Sequence, residues 1–197
     1  MLSFARVVNA IDRRVGLSRQ KTYLYKTTRP ENWSPPKNSS VPVWELASEE
    51  GIGELGNVGM SDPVEARSRL RRGDLCYLLS VDGRLAHYSW VQRSGGHLLR
   101  EAGRWIEVAA GDLWIYDCWT AAWARGKKLY PATLTHIIEE HFRDGYTTAW
   151  IYTTEENIAS QNAIRRVGFE AVSTFVALRI GERFLPLGRT DPHLREL

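Results

Sequence analysis

Two strand patterns joined by the dipeptide Asp82-Gly83 constrain the fold of this chain more than any other feature. Residues 75–81 and 84–91 are rich in Leu, Val, Tyr and Trp, and Asp-Gly is among the strongest short signals for a hairpin turn. Two further strand patterns follow at residues 104–108 and 113–120. The middle of the chain is therefore predicted to be an antiparallel meander.

Helical and strand patterns then alternate. Apolar residues at three-to-four spacing predict a helix from Leu129 that ends at Gly145, followed by a strand at 147–153, a helix at 157–167 and a strand at 169–180. A strand, a crossover helix and a neighbouring parallel strand form a right-handed unit. The sequence thus predicts an α/β (α+β) fold whose mixed sheet has an antiparallel N-terminal half and a parallel C-terminal half.

The N-terminal part carries weaker signals. Residues 1–20 place apolar side chains at helical spacing among arginines, which predicts an amphipathic helix. We favour packing of this helix on its own domain or on a second subunit of a homodimer, with peripheral contact with a membrane surface as the alternative. Residues 22–28 predict a strand, 29–42 a proline-rich loop that walls a cleft, and Ser61-Asp62-Pro63 the start of a helix. Residues 21–197 are predicted to form one domain.

Composition and charge exclude several classes of protein. The chain has 197 residues, and 43% of them are hydrophobic, which is enough for a core. Its net charge of +3 is too low for a dedicated nucleic-acid binder. Its two cysteines, Cys76 and Cys118, form neither a disulfide framework nor a zinc motif, so no metal is predicted. We see no apolar run long enough to span a bilayer and no signal peptide, and we expect a cytoplasmic protein.

The segment with the clearest chemical meaning is the basic turn Arg125-Gly126-Lys127-Lys128, which lies between a strand and a helix. Backbone N–H groups at a helix N-terminus lack intrahelical partners and lie at the positive end of the helix dipole. Glycine allows the main chain to approach a bound group closely. The turn therefore favours a pyrophosphate site, with an ordinary helix start flanked by surface charges as the alternative.

A second motif narrows this interpretation. Asn157 to Ser160 open the next helix, which closes on Arg165-Arg166-Val167-Gly168-Phe169. Together with Arg125-Gly126-Lys127, this pair of motifs resembles the GNAT family of acyl-CoA-dependent N-acyltransferases, over about residues 75–180 by element order. The resemblance implies helices on both faces of the sheet, and a fourth and a fifth strand that splay apart between 116–120 and 149–153.

The resemblance also implies where acetyl-CoA binds. Its pyrophosphate would lie on the basic turn, and its pantetheine arm would lie between the splayed strands. A main-chain N–H near Cys118 or Trp119 would donate a hydrogen bond to the acyl oxygen. Asn157 also fits a simple helix cap. Lys128 departs from the small residue usual at its position, and Trp123 from the usual Gln or Arg. The cofactor-binding residues implied are Trp119, Thr120, Arg125, Gly126, Lys127, Lys128, Leu129, Tyr130, Asn157 and Ser160.

Amine attack on a thioester needs a group that collects the amine proton and a group that protonates the departing thiolate. Asp117 is the candidate base, with a purely structural carboxylate as the alternative. The family tyrosine that often serves as the acid is replaced by Ile164. The candidates for its role are Tyr116, Tyr130, Tyr152, Cys118 and solvent. His87, in the hairpin, is a weaker candidate for a place in the cleft.

The predicted function is therefore an N-acetyltransferase that moves an acetyl group from acetyl-CoA to a primary amine by direct attack in a ternary complex. The acceptor is predicted to be a small molecule. Trp33, Trp44, Trp90 and Trp105 suit stacking on a sugar ring, with ordinary core and rim positions as the alternative, and Leu129-Tyr130-Pro131 resembles family members of surface-polysaccharide pathways. An amino sugar is therefore suggested; other small amines and protein amines stay open. The alternative is an acyl-CoA-binding module without catalysis. A nucleic-acid partner is not expected, because the basic residues are spread along the chain.

Overall fold

The structure is a computed structural model that describes residues 17–31, 43–45, 51–59, 62–188 and Leu194. Its helices are α1 Ile52–Leu55, α2 Pro63–Arg71, α3 Leu129–Arg143 and α4 Ile158–Arg166. Its strands are β1 Leu17–Thr28, β2 Val43–Glu45, β3 Leu75–Val81, β4 Arg84–Gln92, β5 Gly96–Leu99, β6 Arg104–Glu107, β7 Asp112–Thr120, β8 Thr148–Thr154, β9 Glu170–Ile180 and β10 Arg183–Leu187. As predicted, Asp62 caps α2: its Oδ1 accepts hydrogen bonds from the backbone N–H groups of Val64 and Glu65.

One mixed sheet organises the described chain, in the strand order β10-β9-β1-β8-β7-β4-β3-β2. The β7–β8 pairing is parallel and every other pairing in the described sheet is antiparallel. The predicted mixed sheet is confirmed. Because β1 runs antiparallel to both β8 and β9, those two strands point in the same direction but are not neighbours.

The predicted meander needs a correction at its third strand. Residues 104–107 are extended but pair with β5, and the β5–β6 hairpin is not part of the main sheet. Strand β4 instead pairs directly with β7. The reason is packing: Leu99, Ala102 and Ile106 are buried against side chains of the sheet, so the hairpin forms a second layer on one face.

The N-terminal prediction also needs a correction. Residues 17–20 are strand rather than helix because they pair with residues 177–180 of β9. The proposed boundary between residues 20 and 21 therefore falls inside β1. The rest of the predicted helix, residues 1–16, and most of the predicted loop at 29–42 lie outside the described residues.

Apolar side chains fill both sides of the sheet. The face covered by α3 and α4, here called the α3/α4 face, buries one cluster that includes Ile115, Leu134 and Ile151. The opposite face, here called the hairpin face, is covered by α1 and α2 over Trp90 and by the β5–β6 hairpin over Trp114. Helices therefore lie on both faces, as the resemblance implied.

Candidate active site

A β-bulge at Asp117 shapes the centre of the sheet. On β4 and β7, Trp90 pairs with Tyr116 and Tyr88 pairs with Trp119, so β7 carries one residue more than β4 in this stretch. Asp117 has a positive φ of 43°, which Asp tolerates better than most residues. A bulge bends its strand and increases the local twist. Strand β7 is therefore redirected at Asp117.

The bulge coincides with a gap between β7 and β8. The two strands pair from Asp112 and Thr148 up to Ile115 and Ile151, and the register does not extend further within the described strands. On its other edge β7 stays paired with β4 up to Thr120, and β8 stays paired with β1 up to Thr154. The gap thus separates residues 116–120 from 152–154, while 149–151 of the predicted splay are still paired.

A cleft of about 990 Å³ follows this gap through the sheet. Its wall on the α3/α4 face includes Cys118, Tyr130, Asn157 and Ser160. Its wall on the hairpin face comes mainly from α2, β7 and the β5–β6 hairpin, with the side chains Asp62, Glu65, Arg69, Arg72, Tyr88, Gln92, His97, Arg100, Glu101, Tyr116, Asp117 and Tyr152. The wall on the α3/α4 face is therefore polar but uncharged at these residues, whereas the wall on the hairpin face carries many charged side chains.

The basic turn leads directly into the cleft wall. Gly126 has φ +80°, and a Cβ built on it meets no atom within 4 Å, so the main chain there is open. Lys128 adopts the left-handed conformation at the N-cap of α3, and no side chain in the described structure caps this helix start. Arg125 donates from Nε to the carbonyl oxygen of Thr120, and Lys127 lies over Trp123. The first amides of α3 are available to a bound anion.

Asn157 and Ser160 stand together at the start of α4. The Asn157 Oδ1 accepts a hydrogen bond from the Ser160 N–H at 3.1 Å, so this side chain is a helix cap. Its Nδ2 group is then the part that can donate to a ligand. Ser160 Oγ donates to the Tyr130 hydroxyl at 3.4 Å, which joins α4 to the start of α3.

Cys118 and Tyr130 supply protonated groups on the α3/α4 face. Burial raises the pKa of the Cys118 thiol to about 12. Burial, with Cys118 next to it, also raises the pKa of the Tyr130 hydroxyl well above its usual value. Both groups therefore carry their protons at neutral pH. Thr120 is turned away from the cleft, since its Oγ1 lies 2.7 Å from the Nδ1 of His87.

The carboxylate of Asp117 is occupied on both oxygens. Arg69 donates to its Oδ2 in an ion pair, and the Tyr88 hydroxyl donates to its Oδ1 at 3.3 Å. Arg69 also pairs with Glu65 at 3.0 Å, and its guanidinium lies 5.1 Å from the centre of the Trp90 ring. The side chain predicted as a base is thus bound to a positive charge.

Tyr116 is committed in a similar way. Its hydroxyl donates to the buried carboxylate of Asp74, which also accepts from Arg72 Nη2 at 2.6 Å. Burial and Asp74 raise the pKa of the Tyr116 hydroxyl. Its proton is therefore held on the hairpin face by Asp74, away from Cys118.

Two histidines differ in their relation to the cleft. His87 is fully buried between the hydroxyls of Thr120 and Ser89 and does not line the cleft, contrary to the weak sequence hypothesis. His97, which the sequence analysis did not single out, does line it. Burial lowers the pKa of both imidazoles to about 3. The only sequence signal for His97 was its place after Gly95-Gly96, a turn that starts the unpredicted strand β5.

The tryptophans that suggested a sugar acceptor have different fates. Trp90 is fully buried, whereas Trp105 is 53% exposed and lines the cleft. Trp33 and the side chain of Trp44 lie outside the described part of the structure.

Across the described residues, no three His, Cys, Asp or Glu side chains are placed to hold a metal ion. The helices of this part of the chain are too short or too polar to cross a bilayer.

Comparison with known families agrees with the geometry. A sequence model of the acetyltransferase (GNAT) family matches residues 43–169, which include the bulge, the gap and the basic turn. By sequence, the chain matches no curated protein.

Solved structures share the fold at low sequence identity. A putative GNAT-family acetyltransferase from Novosphingobium aromaticivorans is 16% identical, with a TM-score of 0.58 over 83% of this chain and 66% of that one. A GCN5-related N-acetyltransferase from Sphaerobacter thermophilus is 14% identical, with a TM-score of 0.58 over 92% and 58%. A ribosomal-protein-alanine N-acetyltransferase from Brucella melitensis is 16% identical, with a TM-score of 0.52 over 71% and 99%. This chain therefore spans less than two thirds of the first two proteins.

Proposed function

Since the chain belongs to the GNAT family of acetyltransferases, we propose that it transfers an acetyl group from acetyl-CoA to a primary amine by direct attack in a ternary complex. The observation that carries the proposal is the gap opened by the bulge at Asp117. It joins the open start of α3 on one face of the sheet to a charged half-cleft on the other. Two reactants have separate entrances in this arrangement.

The residues at the first entrance fit acetyl-CoA. The main chain at Gly126 and the uncapped amides of Leu129 and Tyr130 suit a pyrophosphate, with Arg125, Lys127 and Lys128 as its counter-charges. Asn157 Nδ2, Ser160 and the edge of β7 that faces the gap at Trp119 and Thr120 suit the amide groups of a pantetheine arm, as a missing strand would; there, Arg125 Nε already donates to the Thr120 carbonyl oxygen. When bound, acetyl-CoA supplies an activated acyl group and a thiolate leaving group.

Among the candidate acids, Tyr130 has the best support. Its hydroxyl is protonated, lies on the cofactor side of the gap and is held by Ser160. Cys118, next to it, is the second candidate and carries its proton for the same reason. Tyr116 has less support because Asp74 already binds its proton. In this proposal Tyr130 protonates the leaving sulfur, and the N–H groups near Cys118 and Trp119 stabilise the acyl oxygen.

Asp117 is better explained as a positioning residue than as the base. Both of its carboxylate oxygens already have partners, Oδ2 in the ion pair with Arg69 and Oδ1 in the hydrogen bond from the Tyr88 hydroxyl. In our proposal, Asp117 binds Arg69 and Tyr88 and thereby holds the bulge open. The amine proton must then be collected by another group on the hairpin face.

The acceptor class is part of the same proposal. We propose a small amine, with amino sugars among the candidates, since Trp105 offers an exposed ring in the cleft on which a sugar can stack. The two cysteines of the chain are free thiols, which is consistent with the cytoplasm. The homodimer and the membrane contact suggested for residues 1–20 remain predictions.

Calorimetric titration with acetyl-CoA, followed by thiol release with a panel of amines, tests the proposal. We expect binding by the parent chain and none by Gly126→Asp, because this change adds bulk and negative charge at the open main chain. Lys127→Ala, a neighbouring change that removes only an exposed charge, should weaken binding without abolishing it. Binding without turnover of any amine would favour the acyl-CoA-binding module, for which the fully buried Ile164 in place of a tyrosine is the argument. Unchanged affinity in Gly126→Asp would refute the site.

A further inference from the structure

Two buried acceptor atoms on the hairpin face of the cleft have no partner. His97 Nε2 and Glu101 Oε2 are shielded from solvent and make no hydrogen bond within the described structure. Both residues line the cleft and both belong to the segment of the β5–β6 hairpin. An unpaired buried acceptor is costly, and two of them in one cleft indicate a ligand with two donors.

The hydrogen bonds of Gln92 define the tautomer of His97. The Gln92 Nε2 group donates to the carbonyl oxygens of Ser94 and Gly96 at 2.9 and 2.8 Å. Its Oε1 is therefore the atom that lies 2.8 Å from His97 Nδ1, and it must accept the Nδ1–H. The Nε2 of this neutral ring consequently carries a lone pair.

The ring of His97 lies where β7 and β8 separate. It packs 5.0 Å from the Tyr116 ring and 6.2 Å from the Tyr152 ring. These tyrosines are the first residues beyond the last paired positions, Ile115 and Ile151. A stacked contact with Trp114, 5.2 Å away, fixes the plane of the imidazole.

Glu101 reaches the same place through Tyr152. The Tyr152 hydroxyl lies beside the Glu101 side chain, and burial together with this carboxylate raises the pKa of that hydroxyl, while the Tyr152 ring contacts His97. Glu101 Oε2 remains unpaired. The two free acceptors therefore share Tyr152 as a neighbour at the apex of the gap. Trp90 Nε1 and Trp123 Nε1, two further buried atoms without a partner in the described structure, belong to residues that do not line this cleft.

We propose that His97 Nε2 and Glu101 Oε2 accept the two N–H groups of a primary acceptor amine and that this pair makes the site selective for primary amines. The inference rests on the proposed function and assigns its missing proton acceptor. A neutral primary amine that donates both protons keeps its lone pair free for attack. A secondary amine has one N–H and leaves one buried acceptor unpaired, which a site built on hydrogen bonds discriminates against strongly.

The transfer balances with these groups. The amine nitrogen bonds to the acetyl carbon, the carbon–sulfur bond breaks, one amine proton passes to Glu101 Oε2 while the other N–H stays hydrogen-bonded to His97 Nε2, and the sulfur takes a proton from Tyr130. Proton release from Glu101 and proton uptake by Tyr130 then restore the starting state. The net products are the amide and free thiol.

A spectroscopic test needs no turnover. In the full chain labelled with ¹⁵N-histidine and saturated with coenzyme A, we expect His97 to show a protonated Nδ1 and an unprotonated Nε2. Titration with 2-phenylethylamine or glucosamine should shift the Nε2 resonance of His97 and leave His136, which is on α3 outside the cleft, unchanged. If neither amine moves this resonance, or if Nε2 is the protonated nitrogen, the proposal is wrong.

Kinetics supply the second test. The parent should prefer each primary amine over its N-methyl derivative by about 100-fold in kcat/KM. His97→Asn keeps a donor for Gln92 but lacks the acceptor, so its activity with primary amines and its preference for them should both fall at least tenfold. Glu101→Gln should also reduce the preference, whereas His136→Asn and Glu139→Gln, two changes outside the cleft, should not. An unchanged preference in both cleft variants would overturn the inference.

Binding of acetyl-CoA separates the two proposals. His97→Asn and Glu101→Gln should bind acetyl-CoA as tightly as the parent, because neither residue lies on the α3/α4 face. If the parent itself fails to bind acetyl-CoA, the proposed function fails, whatever the amines do at His97. If acetyl-CoA binds and the preference for primary amines is the same in the His97 and Glu101 variants as in the parent, only the assignment of His97 and Glu101 fails.

Discussion

Buried neutral histidines, among them His87 and His97, should make this protein sensitive to mild acid. Burial lowers the pKa of His87 to about 3, and burial with Arg72 and Arg69 nearby lowers that of His97 to about 3. In an unfolded chain a histidine titrates near about 6.5. Between these values the unfolded state holds the proton and the folded state does not, so the free energy of unfolding falls as the pH falls.

The size of this effect follows from the same values. Each pH unit below about 6.5 removes about 1.4 kcal/mol of stability for every histidine that stays neutral in the folded state. Between pH 6.5 and pH 5, His87 and His97 together should remove about 3 kcal/mol. That is a large part of the free energy of unfolding of a typical domain, which is roughly 5–15 kcal/mol. Glu155 and Glu156, whose pKa values are lowered by Lys21 and by a backbone hydrogen bond respectively, contribute mainly at lower pH.

The two histidines can be separated by mutation. Both ring nitrogens of His87 face hydroxyl oxygens, which can accept a new N–H, whereas His97 Nε2 has no partner in the described structure. His97→Asn removes a titrating group and keeps a donor toward Gln92. Because burial also lowers the pKa of His141, we expect the variant to lose about a third to a half of the parent's acid sensitivity.

Urea unfolding, followed by tryptophan fluorescence at pH 7.0, 6.0 and 5.0, measures this directly. The parent should lose stability steadily over this range, and His97→Asn should lose clearly less. His136→Asn is the matched control, since His136 is partly exposed and pairs with Glu140 on the helix surface. Equal stability of the parent at pH 7.0 and pH 5.0 would show that the buried histidines are not held neutral in the folded protein.

Three further changes probe the site and its support. Tyr130→Phe should lower kcat about 100-fold with little effect on the dissociation constant of acetyl-CoA, and a variant as fast as the parent would exclude Tyr130 as the acid. Asp117→Asn should lower the free energy of unfolding in urea by about 1 kcal/mol, because the ion pair that it loses is partly exposed. It should change kcat and leave the shape of the pH–rate profile as in the parent. Loss of one step from that profile would restore Asp117 as the base. Gly103→Ala should destabilise the chain by about 2 kcal/mol, since its φ is +66° and a Cβ would lie 2.3 Å from the Phe184 carbonyl oxygen; unfolding at the parent's urea midpoint would contradict this contact.

Local patterns in the sequence predicted most of the elements near the site. The turn at Asp82-Gly83 has two positive φ values, 52° and 73°, as this hairpin type requires. Helix α4 begins after Asn157, whose side chain caps it as its residue type suggests. These features depend on residues that are close in the chain, so pattern reasoning identifies them.

The arrangement of distant strands could not be predicted in the same way. Part of strand β1 was predicted as extended, but the alternation of apolar and polar residues along a strand does not identify the strands that pair with it. Its place between β8 and β9 is determined by pairings such as Thr22 with both Thr154 and Phe175. The short strand β5 carries too few residues for a strand pattern, and its burial depends on the sheet beneath it. For this reason His97 and Glu101 escaped the sequence analysis.

Asp117 shows how one sequence signal can support two different roles. An acidic residue inside an apolar strand suggested a catalytic base, yet its backbone conformation and its side-chain contacts serve one geometric purpose. Asp is among the few residues that adopt a positive φ at low cost, and its carboxylate anchors the bent strand to Arg69 and Tyr88. The bend separates β7 from β8 and leaves the apex of the gap beside His97. In our proposal the chemistry expected of Asp117 belongs to a second residue, and the buried acceptors without partners that line the cleft are on the segment of the β5–β6 hairpin.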